Sequence, residues 1–503
     1  MKGKTGVCKT LLLAGMGLMI PCCLFTAGNV ALSPWPLYAR NRLALCLLTP
    51  LCLLLLLGLG RAAQAKVFEK HERAVLIGFA AFYFAAQLAM AAALRFTPVT
   101  DLEQCVTAAR RLAQTGTFGD SERSLIYFGR YPHNMGLVYL LAGIFKAAGV
   151  LGADELMAAA LVCGLLFALG LVSSARLCGL LGGGRAQTRA LLLFATCLPF
   201  LYCTSELYTD AFSVGFASMV IVCFLKAKTA ESRKARAFWA LLFAAGAFFG
   251  AQIRFPTIIA AIACLIAALF EKRVKLTAVL AAPLALIFAV GGSLVNAANE
   301  QNLGAENIAK NKLPKLHYIA MGLPVQSDEG YGQYGYGRWL IFSTSFDDPQ
   351  ERDAALRQEV IDRTYTLLHH PDQLLSTLSR KNLSTFGSGT FSLNEIFEAD
   401  AHEADNAVKQ VVFGEGKWNR AYTHLATALF LAQMLLACIA CARAVWRRDT
   451  KAAPLFLTLL GAFLFLSIWE TRARYFFQFT MILLCAGAMF EGRMKRVCFQ
   501  RYA

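Results

Sequence analysis

The chain has 503 residues, of which 57% are apolar and only 16% are charged. A soluble fold cannot cover that much apolar surface, so the composition excludes a soluble globular protein and points to an all-α, multi-span membrane protein. The net charge of +17, spread over membrane loops, reports topology and contact with anionic lipid rather than nucleic-acid binding.

The first apolar run, 8–30, follows Lys2 and Lys4 in the manner of a signal peptide. It is long, and no small-residue cleavage site leads into a soluble domain, so it reads as a retained span. Eleven further runs follow, at 43–60, 74–94, 156–172, 190–203, 211–225, 237–249, 256–270, 276–295, 421–442, 452–469 and 475–490. The 16 cysteines lie mostly inside these runs, as at Cys22, Cys23, Cys46 and Cys197. They act as small hydrophobes, with no spacing for zinc or for a disulfide framework.

One more run, 134–150, decides the topology. It carries Lys146 and follows Pro132, which suits a helix lying at the interface. If it lies flat, the basic connections 66–73, 176–189, 226–236, 272–275, 443–451 and 493–501 all fall on one side, which the positive-inside rule makes cytoplasmic. The expectation is therefore about twelve spans plus one interfacial helix, with both termini inside. On that plan the chain divides into a two-span extension (1–73) and a core with a first external loop at 95–155 (74–295). An external segment (296–420) and C-terminal spans with a cytoplasmic tail (421–503) follow. Within the external segment, 348–378 reads as a single helix and 331–337 as a flexible Tyr/Gly loop. Gly182-Gly183-Gly184 lacks a following Lys-Ser/Thr and is a weak phosphate cradle.

The external side then gathers the residues able to do chemistry. An enzyme there has no access to cytosolic nucleotide donors, so its donor would be a lipid-linked group. Such a transfer needs a carboxylate to take a proton and fixed cations to hold a departing phosphate. Asp101, in the polar stretch 95–133, is the candidate base, and Glu103 lies beside it; capping of a helix starting near Leu102 is the alternative. Asp210, in Ser205-Glu206-Leu207-Tyr208-Thr209-Asp210, is the second carboxylate, with capping of the span at Ala211 as its alternative. Arg130, Tyr131 and His133 open the interfacial helix and form a possible anion or metal site, against a plain proline-led helix entry. Arg254 sits in a tight turn between spans, where a snorkelling arginine is also common. Glu470, Arg472, Arg474 and Tyr475 precede the last span, where phosphate contact is favoured over an anchoring ion pair. His317 and Lys381 are further candidates.

These motifs, in this order, resemble the C-type (GT-C) integral-membrane glycosyltransferases, in particular bacterial relatives of protein O-mannosyltransferases and aminoarabinose transferases. The resemblance rests on Asp101, Arg130-Tyr131-Pro132-His133, Tyr208-Thr209-Asp210, Arg254-Phe255-Pro256-Thr257 and Glu470-Thr471-Arg472-Ala473-Arg474-Tyr475. The stretch 313–322 also looks like one that recurs in bacterial members. The chain departs from the pattern in having two spans before the usual first one, and in carrying Asp101-Leu102-Glu103 in place of an acidic pair. The resemblance implies a polyprenyl-phosphate sugar donor, an external protein, glycan or lipid acceptor, and inversion at the anomeric carbon. Asp101 would be the general base, and Asp210 would orient the acceptor or a divalent metal ion, for which Asp101, Asp210 and His133 are the possible ligands. Arg254, Arg472 and Arg474 would hold the lipid phosphate, and the external segment would close over the site in a bacterial plasma membrane. A transporter or flippase of lipid-linked saccharides is the alternative.

Overall fold

The structure, a computed structural model, describes residues 2–33, 41–94, 97–119, 121–325, 330–333, 338–393, 406–414 and 416–490. The basic connection at 493–501 and residues 334–337 of the Tyr/Gly loop lie outside them. The described residues form helices and turns with no strand. Nine of these helices are long and apolar enough to cross a bilayer.

Contacts between helix ends fix which ends share a side. Helices α1 (Lys2–Gly17) and α2 (Met19–Leu32) form one broken passage. Near its far end lies Asn29, whose amide donates to the Ser379 carbonyl and to Asn382. Helix α3 (Arg42–Ala62) returns, its first turn capped by the Asn41 side chain on the Ala44 N–H. The short α4 (Lys66–Lys70) and the start of α5 (Glu72–Leu94) then meet the turn after residue 182. Glu69 pairs with Arg185, and the Glu72 carboxylate packs on Gly184. The five described basic connections gather at this end, and we call it the basic end.

At the far end of α5 the chain forms α6 (Thr100–Thr115), α7 (Glu122–Arg130) and, after a 3₁₀ turn at Pro132–Asn134, α8 (Met135–Leu151). With its leading turn α8 is 20 residues long and apolar, yet it makes no passage. Asn134, at its start, bonds Tyr127, and Glu155, just past its end, pairs with Arg110 of α6. Both ends of α8 therefore lie beside α6, and the helix runs along one face, as expected for an interfacial element. Helix α9 (Glu155–Gly182), capped by Asp154 on the Met157 N–H, makes the crossing instead. Its 28 residues span about 42 Å at 1.5 Å per residue.

The remaining helices alternate. They are α10 (Gly184–Phe194), the broken pair α11 (Thr209–Ser213) and α12 (Phe216–Thr229), α13 (Arg233–Ile253), α14 (Ile258–Phe270) and α15 (Val274–Leu303). Gly170 and Gly215 let α9 approach the α11–α12 break closely, since a Cβ on Gly170 would lie 2.5 Å from the Gly215 Cα. An insertion follows, made of α16 (Ala305–Asn311), α17 (Lys315–Gly322), α18 (Arg338–Thr344), α19 (Pro349–His369), α20 (Pro371–Phe386) and α21 (Ala407–Val412). The chain closes with α22 (Lys417–Trp446), α23 (Ala453–Ile468) and the broken pair α24 (Arg474–Phe477) and α25 (Thr480–Ala488). Eight of the nine long helices, with α10, α14, α23 and α24–α25, give twelve passages among the described residues. Helices α22 and α25 occupy the centre. The peripheral α15 turns Leu286, Val290 and Leu294 outward, as a lipid-facing helix does.

Two expectations need correction, and one helix runs longer than expected. The single helix over 348–378 is two, because Pro371 forces His370 out of the helical region. The helix that carries the span expected at 276–295 runs on to Leu303. The run at 190–203 is α-helical only to Phe194 and continues as 3₁₀ turns at Leu198–Leu201 and Cys203–Ser205, the first entered through Pro199.

Candidate active site

A cavity of 610 Å³ opens at the end opposite the basic one, between α6, α7, the Pro132–Asn134 turn, α17 and the connections that carry Tyr208, Arg254 and Glu470–Tyr475. Asp101 lies on its wall, in the first turn of α6. That turn begins at Thr100, with Val99 in the cap position and no side-chain cap bond, so Asp101 is not spent on capping. Its Oδ1 accepts a hydrogen bond from the Tyr127 hydroxyl at 2.9 Å, and the Asn134 amide donates to that hydroxyl at 3.0 Å. Burial, with Tyr208 and Asp101 adding to it, holds the Tyr127 phenol well above its ordinary range, so it stays a donor. The Asp101 side chain is 44% exposed, open to a ligand.

Asp210 has a different position. It lies within α11, where Tyr208 takes the cap place, and its side chain is 0% exposed. It lies behind the cavity wall and holds two arginines that reach the wall. Arg254 Nη2 is 3.2 Å from Asp210 Oδ1, and Arg474 Nε is 3.6 Å from Oδ2. Arg254 also donates to Thr209 Oγ1 at 3.2 Å and lies over the Tyr475 ring at 4.3 Å. Arg474 covers the Tyr208 ring at 5.5 Å and extends Nη2 to within 3.8 Å of Asp101 Oδ2. One guanidinium thus links the two aspartates, which are 109 positions apart in sequence.

Arg123, Arg130 and Arg472 also line the cavity. Among the described residues the Nε atoms of Arg130 and Arg254 are buried donors with no acceptor. Buried cationic donors left open in this way suit an anion with several oxygens. Tyr131, His133 and Tyr318 form an aromatic wall, with Tyr318 stacked on Trp469 at 5.2 Å. Glu103 and Glu470 are on the wall as well. Burial raises the Glu470 carboxyl, while Arg472 and Arg474 pull it back down.

The other expected residues separate. His317 reaches the wall but is 1% exposed, and its Nδ1 lies 2.7 Å from Ser343 Oγ. Burial, with Arg352 nearby, lowers it to about 4, so it is neutral at pH 7 and is no anion-holding cation. Glu206 is wholly buried beside the 3₁₀ turn at Cys203–Ser205 and does not reach the cavity. Tyr127 was not among the residues singled out from sequence. Its signal was its place on α7, one helical turn before Arg130.

Lys381 lies away from the cavity. Its ammonium donates to the carbonyls of Gly322 and of Trp469, the latter at 2.7 Å, and so bolts the insertion to the end of α23. Burial lowers Lys381 to about 7, with Glu470 acting in the opposite direction. Between pH 7 and the ordinary lysine value of 10.5 the unfolded chain binds the extra proton, so stability from this group rises with pH across that window. The slope is at most about 1.4 kcal/mol per pH unit. Melting curves of wild type and Lys381→Met from pH 6.5 to 9.5 test this. The rise should be smaller in the variant, and parallel curves would refute it.

The donor set does not fit a resident metal ion. Two guanidinium groups occupy Asp210, and among the described residues no group of three or more His, Cys, Asp or Glu comes together.

Helices throughout, long apolar passages and a polar cavity at one end define an all-α polytopic integral membrane protein. A family model described as a conserved hypothetical integral membrane protein matches residues 375–493. That stretch carries Lys381, Glu470, Arg472, Arg474 and Tyr475 of the residues above. No curated protein and no solved structure matches the chain.

Proposed function

We propose that the protein is a membrane glycosyltransferase that moves a sugar from a polyprenyl-phosphate donor to an acceptor hydroxyl with inversion. The observation that carries this reading is the link through Arg474. It holds an accessible carboxylate, Asp101, beside a buried carboxylate that fixes two arginines at the cavity wall. In the reaction the acceptor oxygen attacks the anomeric carbon as its proton passes to Asp101. The bond from the anomeric carbon to the phosphate oxygen breaks, and its electron pair leaves with the polyprenyl phosphate. Arg254, Arg474, Arg472 and Arg130 stabilise the charge gathering on that phosphate. Tyr131, His133 and Tyr318 offer ring faces and edges to the sugar. Asp210 acts through the arginines it positions. The short basic connections at the other end support an external cavity, since such connections are retained in the cytoplasm, here that of a bacterial cell.

Purified protein in proteoliposomes, given a panel of polyprenyl-phosphate sugars with acceptor, tests this directly. One donor should be consumed, with release of polyprenyl phosphate and an inverted linkage in the product. Movement of intact donor across the bilayer without cleavage would favour a flippase. In parallel, Glu122→Cys and Ser232→Cys, both at exposed positions, should label with an impermeant thiol reagent from opposite sides. Labelling from one side would remove the external placement.

A further inference from the structure

A second cavity, of 520 Å³, lies at the basic end, remote from the chemistry proposed above. Five cations from separate parts of the chain line it: Lys9 on α1, Lys228 on α12, Lys272 and Arg273 at the α14–α15 turn, and Lys451 at the α22–α23 turn. Its lining holds one carboxylate, Glu271, which pairs with Lys228 at 2.6 Å and with Arg273 at 3.3 Å. Among the described residues no ion pair joins the ammonium groups of Lys9, Lys272 or Lys451 to a carboxylate, and Asp449 Oδ1 accepts instead from the Lys451 backbone N–H at 3.0 Å. The rest of the wall is largely apolar, including Leu12, Leu181, Leu225 and Phe270.

Retention of basic loops in the cytoplasm requires only that lysines and arginines be present in the connections. It does not require four distant segments to direct their charges around one apolar-walled hollow. A free phosphate would satisfy the ammonium groups and leave the apolar wall wet. A phospholipid with net negative charge satisfies both, with its phosphate among the cations and an acyl chain along the leucines. We propose that this cavity binds one anionic phospholipid, with Lys9, Lys272 and Lys451 as its phosphate contacts.

The test uses the full-length protein in detergent, with the melting midpoint read during titration with mixed micelles of phosphatidylglycerol, with phosphatidylcholine, or with inorganic phosphate. Phosphatidylglycerol alone should raise the midpoint. In the variant K9Q/K272Q/K451Q its half-saturating concentration should rise about a hundredfold, from roughly fivefold per charge removed. Arginine at all three positions should restore it. The control K66Q/K70Q/R73Q removes three charges at the same end but outside the cavity, and should stay within about twofold of wild type. Equal responses to the two lipids, full response to phosphate alone, or an equal loss in the control would each overturn the proposal. The lipid comparison on the wild type decides the matter even if the triple variant does not fold.

Discussion

Asp101→Asn should abolish sugar transfer while leaving the protein folded and inserted. The substitution keeps the shape and keeps an oxygen for the Tyr127 hydroxyl, which sits 2.9 Å from Oδ1, but removes the oxygen proposed to take the proton. Loss of a positioned general base costs about 10²–10⁴-fold in turnover. Stability should change little, because the pair with Arg474 is long at 3.8 Å and the carboxylate is 44% exposed, where an ion pair contributes about 0–1 kcal/mol. The measurement is the initial rate of polyprenyl phosphate release in proteoliposomes, with the melting midpoint as the fold control. Transfer within about tenfold of wild type, less than a base normally contributes, would remove Asp101 from that role.

Asp210→Asn should do the reverse in kind, damaging the fold as well as the reaction. The wild-type carboxylate is wholly buried and faces two guanidinium groups whose side chains are 17% and 10% exposed. Removing its charge leaves two confined cations facing one another. Breaking a buried pair by deleting one partner costs about 3–5 kcal/mol. The variant should therefore melt well below wild type, and Asp210→Asn combined with Arg254→Gln should recover part of the loss, since the two sites share one interaction. A single variant that melts with the wild type would show that Asp210 does not hold the arginines in place.

The passages were legible because a bilayer demands long apolar runs. The flat course of α8 was legible too, though hydropathy alone would have sent it across. Its lysine and leading proline, and the alternation of basic connections, carried that reading. Asp101 and Asp210 were expected in one cleft; Asp101 lies on the cavity wall and Asp210 behind it, joined to it through Arg474. What sequence could not supply was depth. Nothing in Thr209-Asp210-Ala211 distinguishes a carboxylate on the wall from one behind it, because that depends on Arg254 and Arg474 arriving from elsewhere. Lys381 reads as an ordinary polar position on a helix, and only packing against Gly322 and Trp469 buries it. Tyr127 was hidden for a similar reason, since its partner Asp101 lies on another helix. The break at His370 was different. Pro371 announced it, and the apolar spacing through 356–368 outweighed that signal.

Arg474 answers to two carboxylates at once, and this would give the proposed transfer an order. On the proposed reaction, a phosphate entering the cavity would compete for the N–H groups that face Asp101, so arrival of the donor would detach one carboxylate oxygen from its cation. The proposed acceptor would then meet a carboxylate released by the bound donor. On the proposed reaction the kinetics should be sequential, with the lipid first, because Asp101 stays paired with Arg474 until a phosphate displaces it.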